Sequence, residues 1–163
     1  MFSPILIGGK VPEVWLGELH QGSVRRAFLP SLVQSGKAIM VGVPGAFTPV
    51  CSREHVPDFV LQAHRLRASG FETILCVVAN DPFAVDAWAK QVDPEGKIRF
   101  VSDGNLDLAT ELGVKMRDTE LFLGTRAQRY LMLTLDGIIQ RFTVEKSILA
   151  VTCTRARDSY VAL

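Results

Sequence analysis

Two short unbroken apolar runs, Ala38–Val43 and Ile74–Ala79, constrain this chain more than any other feature. Each has the length of a strand buried on both faces, and such strands belong to parallel sheets covered by helices. Between the runs, from Ser52, apolar residues recur at Val56, Phe59, Val60, Ala63 and Leu66, which is the spacing of one helix face. Gly70 can end that helix. The first run, extended to Lys37–Val43, stops at Pro44-Gly45, a strong turn signal. The second, read as Phe71–Ala79, is entered straight after the glycine.

The remaining pattern continues the alternation. Asn80-Asp81-Pro82 opens a further helix with Phe83, Val85 and Trp88 among its apolar residues. Ile98–Ser102 reads as a third strand, Asp103-Gly104-Asn105 as a turn, and Leu108–Leu112 as a helix. Tyr130–Thr134 and Ile138–Val144 flank Leu135-Asp136-Gly137, and Asp-Gly between two such runs predicts a hairpin. The first stretch is expected to hold short strands or turns, and Ser31–Gly36 to be a connection. Strand, helix, strand, helix, strand and hairpin predict an α/β domain with a mixed central sheet and flanking helices. The pattern alone admits a thioredoxin-like or a flavodoxin-like arrangement.

At 163 residues, one domain spanning residues 1–163 is expected. The formal net charge of +1 argues for no nucleic acid and no anionic membrane as partner. No apolar run approaches the ~18–20 residues that cross a bilayer. The opening Met1–Lys10 lacks both a basic start with an apolar core and an Arg- and Ser-rich amphipathic character. A cytoplasmic address is therefore expected; an organellar form after removal of a transit peptide would look the same. The three cysteines, Cys51, Cys76 and Cys153, are too few and odd in number for a secreted disulfide framework. No Cys-x-x-Cys exists, and His20, His55 and His64 stand in no zinc-like spacing, so no metal and no cofactor is expected.

Chemistry concentrates in Val43-Pro44-Gly45-Ala46-Phe47-Thr48-Pro49-Val50-Cys51-Ser52. This order puts a cysteine in the first turn of a helix, just past a strand end. Free backbone N–H groups and the helix dipole at such a place favour the anionic form of a thiol. The ends of parallel strands are also where open α/β sheets carry their sites. Against this stands the commoner fate of a lone cysteine, a small buried hydrophobe.

Pro44-x-x-x-Thr48-x-x-Cys51 resembles the signature of the peroxiredoxins, and Gly42-Val-Pro-Gly-Ala-Phe-Thr-Pro-x-Cys-Ser52 resembles their type II/type 5 group. His55 and Pro57, Asn80-Asp81-Pro82-Phe83 with Trp88, Ser102-Asp103-Gly104, and Leu123-Gly-Thr-Arg126-x-x-Arg129-Tyr130 extend the likeness over most of the chain. The resemblance implies a thioredoxin-like fold and a thiol-dependent peroxidase acting on hydrogen peroxide and organic hydroperoxides. It implies Cys51 as the peroxidatic thiol, Thr48 as a hydroxyl holding a peroxide oxygen, Pro44 as a shield against water, and Arg129 as the arginine paired with the thiolate. The distance to the Asp136-Gly137 hairpin favours Arg129 over Arg126.

The resulting sulfenic acid needs a thiol to resolve it. Resemblance points first to Cys153; Cys76, flanked by Ile74, Leu75, Val77 and Val78, is the alternative and reads as a core thiol. An external thiol, thioredoxin or glutaredoxin with glutathione, is the third route. A homodimer is implied by the same resemblance. His55 reads as a solvated or packed helix residue, Phe47 and Trp88 as core or interface residues. A redox sensor or chaperone with weak peroxidase activity is the alternative function. A disulfide oxidoreductase is disfavoured by the missing Cys-x-x-Cys, and a cysteine hydrolase by the lack of a histidine evidently paired with Cys51.

Overall fold

Strand β3 (Lys37–Val43) sits inside a seven-stranded sheet because both of its faces find apolar cover. Ala38 and Met40 join one buried cluster, while Ile39, Val41 and Val43 join the other, the two-residue alternation of a strand resolved into two cores. The computed structural model describes residues 7–161 and residue 163. Chain order is β1 (Trp15–His20), β2 (Ser23–Phe28), α1 (Leu29–Leu32), β3, α2 (Val56–Ala68), β4 (Phe71–Val78), α3 (Pro82–Val92), β5 (Arg99–Ser102), α4 (Asp107–Glu111), β6 (Lys115–Asp118), β7 (Gly124–Ala127), β8 (Tyr130–Leu135) and β9 (Ile138–Val144). The large sheet runs β2-β1-β5-β4-β3-β8-β9.

Strands β3, β4 and β5 pair in parallel, and β1 and β8 flank them antiparallel, so the sheet is mixed. Helices α2 and α3 lay Phe59, Ala63, Leu66, Val85 and Trp88 on one face. Leu29 of α1 with Leu108 and Ala109 of α4 cover the other. Each of the larger ones, Leu29, Phe59, Leu66, Val85 and Leu108, contributes about 1.5–3 kcal/mol by leaving water, before entropy is charged against it. The layered thioredoxin-like α/β architecture therefore holds, and the flavodoxin-like alternative falls away.

Local chemistry accounts for the boundaries. Asp81 caps α3, its Oδ1 accepting from the N–H groups of Phe83 and Ala84 at 2.9 Å each, with Pro82 inside the first turn. The β8–β9 hairpin turns through Asp136 (φ 50°) and Gly137 (φ 76°), the left-handed pair that two-residue hairpins need. Two features depart from the sequence expectation. The segment Ser31–Gly36 begins inside the single-turn helix α1 rather than being wholly a connection. Strands β6 and β7 form a separate two-stranded ribbon that no apolar run announced, because among its residues only Ala127 is buried.

Candidate active site

The loop after β3 is built to deliver one sulfur. Gly45 leaves room where a Cβ would stand 3.0 Å from Arg126 Nη1. The Ala46 N–H donates to Asn80 Oδ1 at 2.8 Å, and the Thr48 hydroxyl donates to the Gly45 carbonyl at 2.7 Å. Phe47 takes φ 62°, a left-handed value uncommon for a bulky residue, and is 55% exposed. It is therefore a rim residue and not part of the core. Arg126 ties this loop from behind, its Nη1 donating to the carbonyls of Pro44 and Ala79 at 3.3 Å each.

Cys51 opens a turn that is π-helical rather than α-helical, spanning Cys51–His55. The Val56 N–H donates to the Cys51 carbonyl five residues back. The cause lies one residue further on. Pro57 has no N–H to offer the Arg53 carbonyl four residues back, and its ring crowds that carbonyl, so the regular ladder cannot begin there. Ser52 is held twice, its N–H donating to the Thr48 carbonyl at 3.0 Å and its hydroxyl accepting from Trp88 Nε1 at 2.9 Å. Trp88 is fully buried, as a core residue.

The sulfur itself is buried, and Arg129 is buried beside it. Arg129 Nη2 donates to Cys51 Sγ at 3.3 Å and to the Ile148 carbonyl at 2.8 Å. Nη1 donates to His55 Nδ1 at 2.8 Å. Nε is buried with no hydrogen-bond partner among the described residues. A guanidinium only donates, so His55 Nδ1 must accept and the ring proton sits on Nε2. That proton goes to the Thr154 carbonyl at 2.7 Å. Burial, with the Arg129 charge adding to it, lowers the His55 pKa from 6.5 to about 3. His55 is thus a neutral spacer between Arg129 and the C-terminal segment and is not paired with Cys51.

Pro44, Thr48 and Arg129 share the wall of one cavity of about 310 Å³ with Phe47, Leu121 and Leu149. Two clefts of about 350 and 320 Å³ beside β1 and α3 have neither Thr48 nor Arg129 in their walls. Of the residues singled out by sequence, Thr48, Pro44 and Arg129 meet in this wall and Arg129 also reaches the buried Cys51 sulfur, while Arg126 supports the loop without touching the sulfur. Cys76 lies in β4, fully buried in the same core cluster as Cys51. Burial pushes its thiol well above the ordinary range, and negative charge at Cys51 adds to the effect. Cys153 is half-buried, and burial together with Glu145 raises its thiol as well. All three thiols are free.

Sequence reasoning gave His55 too bland a reading and passed over Glu145. His55 could have been found, since it follows Cys51 by about one turn and so shares its face. Glu145 carried no such signal, because its partners lie across a loop.

A family model described as Redoxin matches residues 8–156. Peroxiredoxin-2E, chloroplastic, of Arabidopsis thaliana is 38% identical over 98% of this chain and 69% of its own length. Peroxiredoxin-2C of Oryza sativa subsp. japonica is 36% identical over 80% of this chain and 82% of its own. Among solved structures, reduced Prx3 in complex with H2O2 from Vibrio vulnificus superposes with TM-score 0.87 at 30% identity, covering 94% of this chain and 96% of that one. Peroxiredoxin 5 from Alvinella pompejana gives TM-score 0.78 at 31% identity, covering 89% and 92%.

Proposed function

The chain belongs to the peroxiredoxins, thiol-dependent peroxidases that reduce hydroperoxides with electrons from thiols, and on that premise we propose that Cys51 is the thiol that attacks the peroxide. One observation carries the assignment: a buried arginine donates to the Cys51 sulfur at 3.3 Å from the wall of a cavity it shares with Pro44 and Thr48.

The chemistry follows from the donors and acceptors present. Cys51 sulfur attacks one peroxide oxygen, the O–O bond breaks, and the departing oxygen leaves as water or an alcohol after taking a proton. Sulfur is oxidised to the sulfenic acid and the peroxide is reduced. The Arg129 guanidinium holds the Cys51 sulfur at 3.3 Å, and its unpartnered Nε is a donor for the oxygen on which charge grows. The Thr48 hydrogen is committed to the Gly45 carbonyl, which leaves the hydroxyl lone pairs to accept a peroxide O–H. Pro44, buried and apolar, keeps water from the sulfur. The apolar rim of Phe47, Leu121 and Leu149 supports organic hydroperoxides beside hydrogen peroxide.

Cys153 is the resolving thiol in this reading, since it is half-exposed and next to the segment that His55 and Arg129 hold. Cys76 is the weaker choice, because a fully buried strand thiol must break the sheet to move. Thioredoxin then reduces the disulfide; glutaredoxin with glutathione is the external route. The exposed Phe47, Leu121, Phe122 and Leu149 around the cavity support a homodimer. Two relatives are chloroplastic, which supports an organellar form beside the cytoplasmic one expected from the N-terminal residues. Among the described residues no helix is long and apolar enough to cross a membrane.

The test is peroxide consumption by the wild type and by Cys51→Ser, Cys76→Ser and Cys153→Ser, with thioredoxin and then with glutathione and glutaredoxin. Loss in Cys51→Ser, with thioredoxin-dependent loss in Cys153→Ser, is the expected outcome. A fully active Cys51→Ser overturns the assignment of the nucleophile. A fully active Cys153→Ser moves resolution to Cys76 or to the external thiol.

A further inference from the structure

Strand β9 is followed by Glu145, a carboxylate almost wholly removed from solvent, and its donors all come from one short stretch of chain. Oε1 accepts from the Thr152 N–H at 2.7 Å, the Cys153 N–H at 2.8 Å and the Thr154 hydroxyl at 2.9 Å. Oε2 accepts from the Thr152 hydroxyl at 2.7 Å. Hydrogen bonds to an ionised acceptor are the strong ones. The Glu145 N–H in turn donates to the Arg129 carbonyl at 2.9 Å. The stretch from Ile148 to Thr154 is thus held at three points: Arg129 on the Ile148 carbonyl, Glu145 on residues 152–154, and His55 on the Thr154 carbonyl. Two of the three holders touch each other beside the Cys51 sulfur, and the third is bonded to the backbone of Arg129.

We infer that Glu145 is the positioning residue of the resolving step: its carboxylate latches Cys153 beside the end of β9, and opening that latch frees Cys153 to reach oxidised Cys51. The inference rests on Cys153 being the resolving thiol. In the latched state the Cys153 thiol is turned to the Val144 carbonyl, 3.9 Å away, while Cys51 is fully buried in its π turn. Both thiols are free, so forming a sulfur–sulfur bond of about 2 Å needs one or both to move, and movement of the 152–154 stretch breaks the bonds from the Thr152 and Cys153 N–H groups to Glu145. The carboxylate has a second effect. Burial and then the Glu145 charge raise the Cys153 thiol, so the nucleophilic thiolate is less available while Cys153 is latched than once it is released. Once released, Cys153 sulfur attacks Cys51 sulfur; the S–O bond of the sulfenic acid breaks, the S–S bond forms, and hydroxide leaves with the Cys153 proton as water. Cys153 sulfur is oxidised and Cys51 sulfur is reduced.

The experiment compares the protein with and without Glu145→Gln in a Cys76→Ser background. Glutamine keeps the size but puts an amide donor where the stretch supplies donors. Two readouts are taken: hydrogen exchange of the Thr152 and Cys153 amides in the reduced protein, and the two phases after mixing with hydrogen peroxide, oxidation of Cys51 and formation of the disulfide. With several charge-assisted bonds lost, amide exchange is expected to rise at least about tenfold and the disulfide phase about three- to tenfold. Thr152→Val, which removes one donor, is expected to shift both in the same direction by less, and serves if Glu145→Gln does not fold. A purely structural Glu145 would slow both chemical phases. Unchanged amide exchange, or faster exchange with a slower disulfide phase, overturns the latch. If the Cys76→Ser protein forms no Cys51–Cys153 disulfide, the reading of Cys153 as resolving thiol falls, and docking by Glu145 then stands or falls on the exchange data alone.

Discussion

Arg129 shows how much one side chain is asked to do. It is fully buried, and its donors span Cys51, His55 and the Ile148 carbonyl. Removing a donor aimed at developing charge costs about 10²–10³ in rate, so Arg129→Gln is expected to lower the second-order rate with hydrogen peroxide by at least that factor. Stopped-flow oxidation of Cys51 measures it; a loss below threefold would remove Arg129 from the site. His55 sets the place of Arg129, and it carries a pH signature. Its folded pKa of about 3 lies below the ordinary 6.5, so the unfolded chain takes up the proton first as pH falls. The stability that neutral His55 contributes is therefore intact above about pH 6.5 and is lost progressively toward pH 3. Asp103 acts in the opposite sense: burial raises its carboxyl from 3.8 to about 6, so the folded state gains its proton first between those values. The comparison is accordingly between wild type and His55→Gln, which keeps an acceptor and a donor but does not titrate. Urea unfolding from pH 7 to 5.5 should cost the wild type about 1 kcal/mol more than the variant. Equal slopes would mean that His55 is not buried neutral.

At the scale of elements, the informative one is the π turn Cys51–His55 in front of α2. The spacing of Val56, Phe59, Val60, Ala63 and Leu66 predicted the helix, and Val56, Phe59, Ala63 and Leu66 are indeed its buried face. The widened first turn was not legible, since a period of apolar residues says nothing about which carbonyl each N–H chooses. Pro57 was visible, but its effect depends on a missing donor, and only the backbone shows where the ladder reroutes. Pro57→Ala restores that donor and permits a regular turn, which would rotate Cys51 relative to Arg129. A misplacement of about 1 Å can cost on the order of 10²-fold in rate. A fall of tenfold or more in peroxide reduction with the melting temperature maintained or raised is expected; an unchanged rate would show that the π turn is incidental to the site. The β8–β9 hairpin is the contrary case, legible in full from Asp136-Gly137 because the φ values at 50° and 76° are demanded by the turn itself.

The whole molecule places its site where β3 ends and closes it with the chain's C-terminal stretch. Two apolar cores, one on each face of the sheet, hold β3 rigidly enough for a loop of Pro44–Val50 to present a buried sulfur. Around the mouth, Phe47 (55%), Leu121 (52%), Phe122 (94%) and Leu149 (65%) are exposed. An apolar patch of that kind marks an interface more often than a bare surface. A Phe122→Asp variant is expected to sediment as a monomer at micromolar concentration where the wild type sediments as a dimer. A monomeric wild type would remove the dimer from the proposal.

From the sequence alone came the α/β class, the alternation from β3 to β5 and the β8–β9 hairpin, because hydrophobic period and turn residues are local properties of the chain; Pro44 and Thr48 were joined to Cys51 through resemblance to a short family motif. What Arg129 does to Cys51 was legible only through resemblance to a family, since 78 positions separate the two residues. Tertiary structure alone decided that His55 stands neutral between Arg129 and Thr154, and that Glu145 gathers residues 152–154. Those contacts depend on which segments the fold brings side by side and on how completely it removes them from water, and neither is written in the spacing of residues along the chain.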